Sequence, residues 1–178
     1  LLRLRLRRPP ALCSRAMQDT AAALSLQGVA CTFASRDDPD QRYTAVKDVT
    51  LTVGAGEFVA VVGPTGCGKS TLLNVAAGLL VPSAGVVNVF GTPLQGVNTR
   101  AGYMFQADSL MPWRTAQQNV MAGLEFRRTA AAEAEARGRE WLARVGLAGF
   151  EHRYPHQLSG GMKKRVALAQ MLILDPQI

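Results

Sequence analysis

Between residues 24 and 53 apolar side chains recur at every second position in short bursts. Leu24 and Leu26 form one burst and Val49, Leu51 and Val53 another, with the polar stretch Ser35 to Arg42 between them. Alternation of this kind predicts strands of an antiparallel sheet with one wet face. After the turn Gly54-Ala55-Gly56-Glu57 comes Phe58-Val59-Ala60-Val61-Val62, an unbroken apolar run that predicts a central strand covered on both faces. A glycine-rich loop follows. Lys69 to Leu80 then places Leu72, Val75, Ala76 and Leu79 on one helical face, with Gly78 and Pro82 marking its end.

Val86 to Phe90, closed by Gly91, and Tyr103-Met104-Phe105 predict two further strands. The character changes at Gln106. From Thr115 to about Leu147 the pattern is helical and rich in Ala, Glu and Arg. A polar corner at Glu151 to Gln157 leads into Leu158-Ser159-Gly160-Gly161 and an amphipathic helix, Met162 to Leu174, stopped by Pro176. The order sheet, loop, helix, sheet, helical lobe predicts an α/β domain.

At 178 residues and 48% apolar content with 19% charged residues, the chain has the balance of one globular domain and not of a disordered tract. No apolar run approaches the roughly 20 residues needed to cross a bilayer. The net charge of +7 invites a nucleic-acid or acidic partner, yet Arg3, Arg5, Arg7, Arg8 and Arg15 supply five of those charges before any acid occurs. Residues 1–16 read as a basic leader, disordered or upstream of a natural start near Met17, with a basic arm or targeting peptide as the alternative, and the body is nearly neutral. No nucleic-acid role is therefore expected, and Lys163, Lys164 and Arg165 read as solvated turns of their helix. Cys13, Cys31 and Cys67 are odd in number and widely spaced, which points to neither a disulfide framework nor a zinc site. His152 and His156 read as loop polars.

The chemistry lies in Gly63-Pro64-Thr65-Gly66-Cys67-Gly68-Lys69-Ser70-Thr71, which fits G-x-x-x-x-G-K-[ST] between a buried apolar run and a helix start. Glycines let backbone N–H groups converge on phosphate oxygens, and the helix N-terminus adds partial positive charge. Lys69 is expected to bridge the β- and γ-phosphates of ATP and Ser70 to ligate Mg²⁺. Cys67 reads as a small loop residue. A P-loop alone does not separate kinases, GTPases, helicases and transport ATPases.

Leu158-Ser159-Gly160-Gly161-Met162, opening a helix downstream of that loop, makes the chain resemble the ATP-binding-cassette (ABC) family. The resemblance implies a P-loop NTPase fold with an N-terminal antiparallel β subdomain and an inserted helical subdomain, its core sheet incomplete here. It divides residues 17–178 into a β subdomain and P-loop core (24–105), a Q-loop and helical subdomain (106–160) and a signature helix (161–178). Leu158, Ser159, Gly160 and Gly161 would then be the signature, set against the ATP held by the P-loop of a second copy. Gln106 matches the Q-loop glutamine, a ligand to Mg²⁺ and the attacking water, and with Lys69 it is the expected catalytic residue. Phe33 falls where the family stacks an aromatic on adenine. Tyr43 is a rival stacker, and a core role for Phe33 stays open.

Within that family Met111-Pro112-Trp113-Arg114-Thr115 and Tyr154-Pro155-His156-Gln157 resemble the ATPases of nitrate, sulfonate and taurine importers. This implies a peripheral subunit on the cytoplasmic face of the plasma (inner) membrane. It would act as a homodimer, joined to transmembrane permease subunits and indirectly to a periplasmic solute-binding protein. Trp113 is either the anchor for a permease helix or tucked beneath its own lobe. Met171-Leu172-Ile173-Leu174-Asp175 tempts as the family's Asp-Glu strand, but it continues the helical period of Val166 and Ala169, and Pro176 follows Asp175 where Glu is required. The expectation is that the chain stops before that strand, has a marginal core, binds nucleotide weakly and does not turn it over. A soluble ABC-type ATPase or another P-loop NTPase not linked to transport is the alternative.

Overall fold

The computed structural model describes residues 22–178 except 36, 37, 39 and 108. The basic leader at residues 1–16 lies outside the described residues. The chain forms two compact units that divide between Thr99 and Arg100.

In the first unit β1 (Leu24–Ala34) pairs antiparallel with β2 (Arg42–Val53) on one side and β3 (Ala84–Val89) on the other, and β4 (Thr92–Pro93) continues from β3. The helix α1 (Lys69–Ala76) contributes Leu72 and Val75 to the core. Along β1 the buried side chains are Leu24, Leu26, Val29 and Cys31, so the inward parity flips after Leu26. The flip coincides with a register shift against β2, where Gly28 takes φ +59°. A bulge inserts one residue and lets both halves of the strand face the same core. On β2 the matching change of parity between Val46 and Val49 has Asp48 at φ 49°. Each such Leu or Val, fully buried, is worth about 1.5–3 kcal/mol relative to exposure. α1 stops short of Leu80 because Gly78 turns left-handed at φ +69°. Asn98 closes the helix end, its backbone N–H donating to Ala77 O (2.9 Å) and its side-chain amide to Ala76 O (3.3 Å).

Two expected strands are absent. Residues 57–64 have no regular secondary structure, and Phe58 and Val62 are 78% and 56% exposed, although Val59 and Val61 pack on the first core. Tyr103, Met104 and Phe105 also form no strand, and Met104 and Phe105 are exposed. Apolar content expresses a need for burial, but a strand exists only when neighbouring backbone takes up its N–H and C=O groups. Among the described residues nothing pairs with 58–62. Near the second run only a beginning of a ladder forms, Gly102 N–H to Ile178 O (2.8 Å) and Ile178 N–H to Arg100 O (3.2 Å).

The second unit is a helical cluster of α2 (Ala116–Phe126), α3 (Ala131–Arg144) and α4 (Gly160–Leu172), with a 3-10 turn at Pro155–Gln157. Its core joins Val120 and Leu124, Ala134 and Leu142, Val166, Ala169 and Ile173 with Leu147 and Leu158. Met171 and Leu172 end α4, so the Met171 to Asp175 run is helix and turn, as its period predicts. α3 and α2 approach closely through small residues: Gly138 packs so near Met121 that a Cβ would lie 2.8 Å from its Cγ. No helix among the described residues is long and apolar enough to cross a membrane.

Candidate functional site

The first candidate site is the loop entering α1. Gly66 and Gly68 adopt φ +82° and +92°, and a Cβ at Gly68 would press on the Ala45 carbonyl at 2.6 Å and Val46 Cγ2 at 2.9 Å. Glycine is thus demanded at Gly68 both by backbone conformation and by β2 passing beneath it. Lys69 Nζ donates to Gly63 O (2.9 Å) and Pro64 O (2.8 Å), and Cys67 Sγ lies 3.6 Å away. The ammonium is fixed over the loop to which it belongs. Pro64, Thr65, Gly66 and Ser70 are exposed, and Thr71 is half-buried. The first backbone N–H groups of an eight-residue helix have no acceptor within it, so the start of α1 offers donors beside Lys69. Glu57 is the sole acid between Gly54 and Leu80, and its carboxylate is occupied by Gly54 N–H at 2.8 Å.

Phe33 and Tyr43 face each other across β1 and β2 with ring centroids 5.7 Å apart. Phe33 is partly buried against the first core, whereas Tyr43 is 56% exposed. Cys31 is buried in that core, and burial pushes its thiol above the ordinary value despite an opposing contact with the Ser83 backbone.

The second candidate site lies in the helical unit. Ser159 Oγ accepts from Met162 N–H (3.3 Å) and caps α4, with Leu158 buried behind it. Gly160 and Gly161 are exposed, and a Cβ at either meets no atom within 4 Å. Packing among the described residues therefore makes no demand for glycine there, unlike at Gly68. Gln106 sits in a bend with its side chain exposed, and its backbone carbonyl accepts a 2.6 Å hydrogen bond from Lys164 Nζ on α4. Lys164 is half-buried and, besides facing solvent as its sequence context suggests, bonds across to this segment.

The corner before the signature is built by α2. Ala116 N–H donates to Arg153 O (2.7 Å) and Gln117 N–H to Glu151 O (3.1 Å), so the corner's carbonyls take donors that the helix start leaves over. Gly149 N–H donates to the Glu151 carboxylate at 3.0 Å and, with this residue's own backbone amide, holds the group below its ordinary range. Sequence reasoning missed Asn119. It is fully buried: its Oδ1 accepts from Met111 N–H (2.7 Å), and its Nδ2 donates to the carbonyls of Met111, Arg114 and Thr115 at 3.0–3.1 Å. That one side chain shapes the loop Met111 to Thr115 and presents Trp113, which is 72% exposed and not tucked beneath the lobe. The available signal was an Asn directly before the apolar run Val120-Met121-Ala122 of a helical segment.

Among the described residues no cluster of three or more His, Cys, Asp or Glu could hold a metal. Within the first unit the loop offers one neutral side-chain oxygen beside Lys69, Ser70 Oγ. A single neutral donor suits Mg²⁺ carried largely by a ligand's phosphates and water, rather than a cation in an all-protein cage.

The ABC transporter family model matches residues 46–178. The taurine import ATP-binding protein TauB of Yersinia pestis bv. Antiqua (strain Antiqua) is 44% identical over 134 residues, covering 75% of this chain and 52% of that protein. TauB of Pseudomonas fluorescens Pf-5 is 41% identical over 157 residues, covering 88% and 58%. The chain spans about half the length of these curated relatives. Among solved structures it is similar to the ATP-binding cassette MJ0796, in a dimeric post-hydrolysis state bound to ADP and Pi. The TM-score is 0.77 at 34% identity, over 86% of this chain and 70% of that one. A phosphate-type loop at the head of α1, a glycine-fronted, serine-capped α4 and this breadth of similarity lead to one assignment: the chain belongs to the ABC transporter family and has the α/β fold of its ATP-binding cassettes.

Proposed function

We propose that the protein is the ATP-binding and ATP-hydrolysing subunit of an importer for a small solute of the taurine, sulfonate or nitrate type. The observation that carries the reading is the loop Gly63 to Thr71, where Lys69 Nζ is pinned over glycines held in left-handed conformations at a helix start. In this reading the backbone N–H groups of Gly66, Gly68 and Lys69 bind phosphate oxygens, and Lys69 Nζ neutralises charge between the β- and γ-phosphates. Ser70 Oγ would be a ligand to Mg²⁺, as would Gln106, and the ion when bound would supply charge neutralisation on the transferring phosphoryl group. Gln106 orients water. The Phe33–Tyr43 pair offers adenine a stacking face, and the exposed ring is that of Tyr43.

The open face of Gly160 and Gly161 is read as the surface that meets nucleotide on a second copy, with Leu158 and Ser159 holding it in place. Trp113, fixed by Asn119, is read as the anchor for a permease subunit, since an exposed aromatic on a rigid loop suits an interface hot spot. The protein then acts peripherally at the cytoplasmic face of the inner membrane, and a periplasmic solute-binding protein reaches it only through the permease. No nucleic-acid partner is invoked. The 178 residues by themselves are proposed to bind MgATP without turning it over.

Growth on taurine as sulfur source and phosphate release test the reading together, using the protein expressed from its own gene with its membrane partners. Lys69→Ala is expected to abolish both. Solute uptake that survives Lys69→Ala contradicts the role in transport.

A further inference from the structure

The triplet Lys163-Lys164-Arg165 is not chemically uniform in the fold. Arg165 lies over Gly146, where its Nη1 is 3.5 Å from the position a Cβ would take. Lys164 instead reaches across 58 residues of sequence to the carbonyl of Gln106 at 2.6 Å. An ammonium donor makes this hydrogen bond stronger than a neutral one. It is also well placed to transmit position. Lys164 is four residues, about one helical turn of 5.4 Å, beyond Gly160 on α4. The helix is seated by Val166, Ala167 and Ala169, so its exposed glycine end and its Lys164 move as one body. The Gln106 segment has no regular secondary structure of its own to fix it.

We infer that Lys164 is a positioning residue that ties Gln106 to the Ser159-Gly160-Gly161 end of α4. Displacement of that end is passed to the glutamine through this charge-assisted bond. The inference rests on the ATPase reading above. Lys164 acts through Gln106, with its donor on the backbone carbonyl and its effect on where the side-chain amide stands.

The test uses the protein expressed from its own gene and compares wild type, Lys164→Met, Lys164→Gln, Lys164→Arg, Gln106→Ala and the Gln106→Ala/Lys164→Met pair in MgATP turnover, with Lys69→Ala as the inactive reference. Lys164→Met and Lys164→Gln are expected to lower kcat about tenfold while KM for ATP moves less than about twofold, and Lys164→Arg, which keeps a cationic donor, restores most of the rate. In the Gln106→Ala background Lys164→Met should cost nothing further, because there is no amide left to position. A purely structural lysine would lower both backgrounds alike. Lys164→Met and Lys164→Gln at the wild-type rate, or a full additional loss in the Gln106→Ala background, would overturn the inference and leave the ATPase reading intact. Wild type no faster than Lys69→Ala would overturn both. Should the Met variant fail to fold, the Gln variant carries the comparison.

Discussion

Asn119 is the side chain whose loss the fold tolerates least. It is fully buried, and both ends of its amide are bonded to the loop that carries Trp113. Asn119→Ala would leave the Met111 N–H and at least one carbonyl without partners in a dry site, costing about 2–4 kcal/mol in urea denaturation. An unchanged midpoint would show that the loop has another support. The cysteines give a second test at this scale. Cys31 is buried and its thiol pushed up, so little thiolate is present below its raised value, and thiolate is the reactive form. Near pH 8, peptide mapping after iodoacetamide should find Cys67 alkylated in the folded protein and Cys31 only after unfolding. Equal labelling would contradict the burial of β1.

At the scale of elements the two left-handed glycines Gly28 and Gly68 differ in an instructive way. A Cβ at Gly28 finds Asp48 Oδ1 at 3.6 Å and pays only for its conformation, whereas at Gly68 it also meets the Ala45 carbonyl at 2.6 Å. Gly28→Ala should therefore cost about 1 kcal/mol in thermal or urea melts and Gly68→Ala clearly more, with the start of α1 displaced. Similar losses for both would mean that β2 does not pass as closely beneath the loop as described.

What could be read from sequence follows the same division between local and non-local causes. Hairpin alternation, the glycine loop and the breaker at Gly78 are local, and each appears where the pattern places it. The bulge at Gly28 could be suspected from the shift in parity between Leu26 and Val29. The strands expected at Phe58 to Val62 and Tyr103 to Phe105 do not form, because strand formation is decided by a neighbour's backbone, which composition does not encode. Lys164 was equally hidden, since a lysine in a basic triplet gives no sign that it will cross to a carbonyl far away in sequence.

For the molecule as a whole, the unpaired apolar run at residues 58–62, with Phe58 and Val62 exposed, should govern solution behaviour. Phe58 is 78% exposed, so Phe58→Ser should change stability by less than about 0.5 kcal/mol. Light scattering should nevertheless show less self-association, because an unpaired apolar segment is a template for other chains. A large loss of stability would mean that Phe58 is packed. The surplus charge has no comparable role: five of the seven net positive charges lie in residues 1–16, and the body that carries the phosphate-type loop is close to neutral. Affinity for anions must then come from placed donors and not from a diffuse field. The central claim is that the loop at α1 is a nucleotide site, and calorimetric titration of this chain with MgATP tests it most directly. The account predicts saturable one-to-one binding that weakens at least about tenfold in Lys69→Ala; no binding, or identical isotherms for the two proteins, would contradict it.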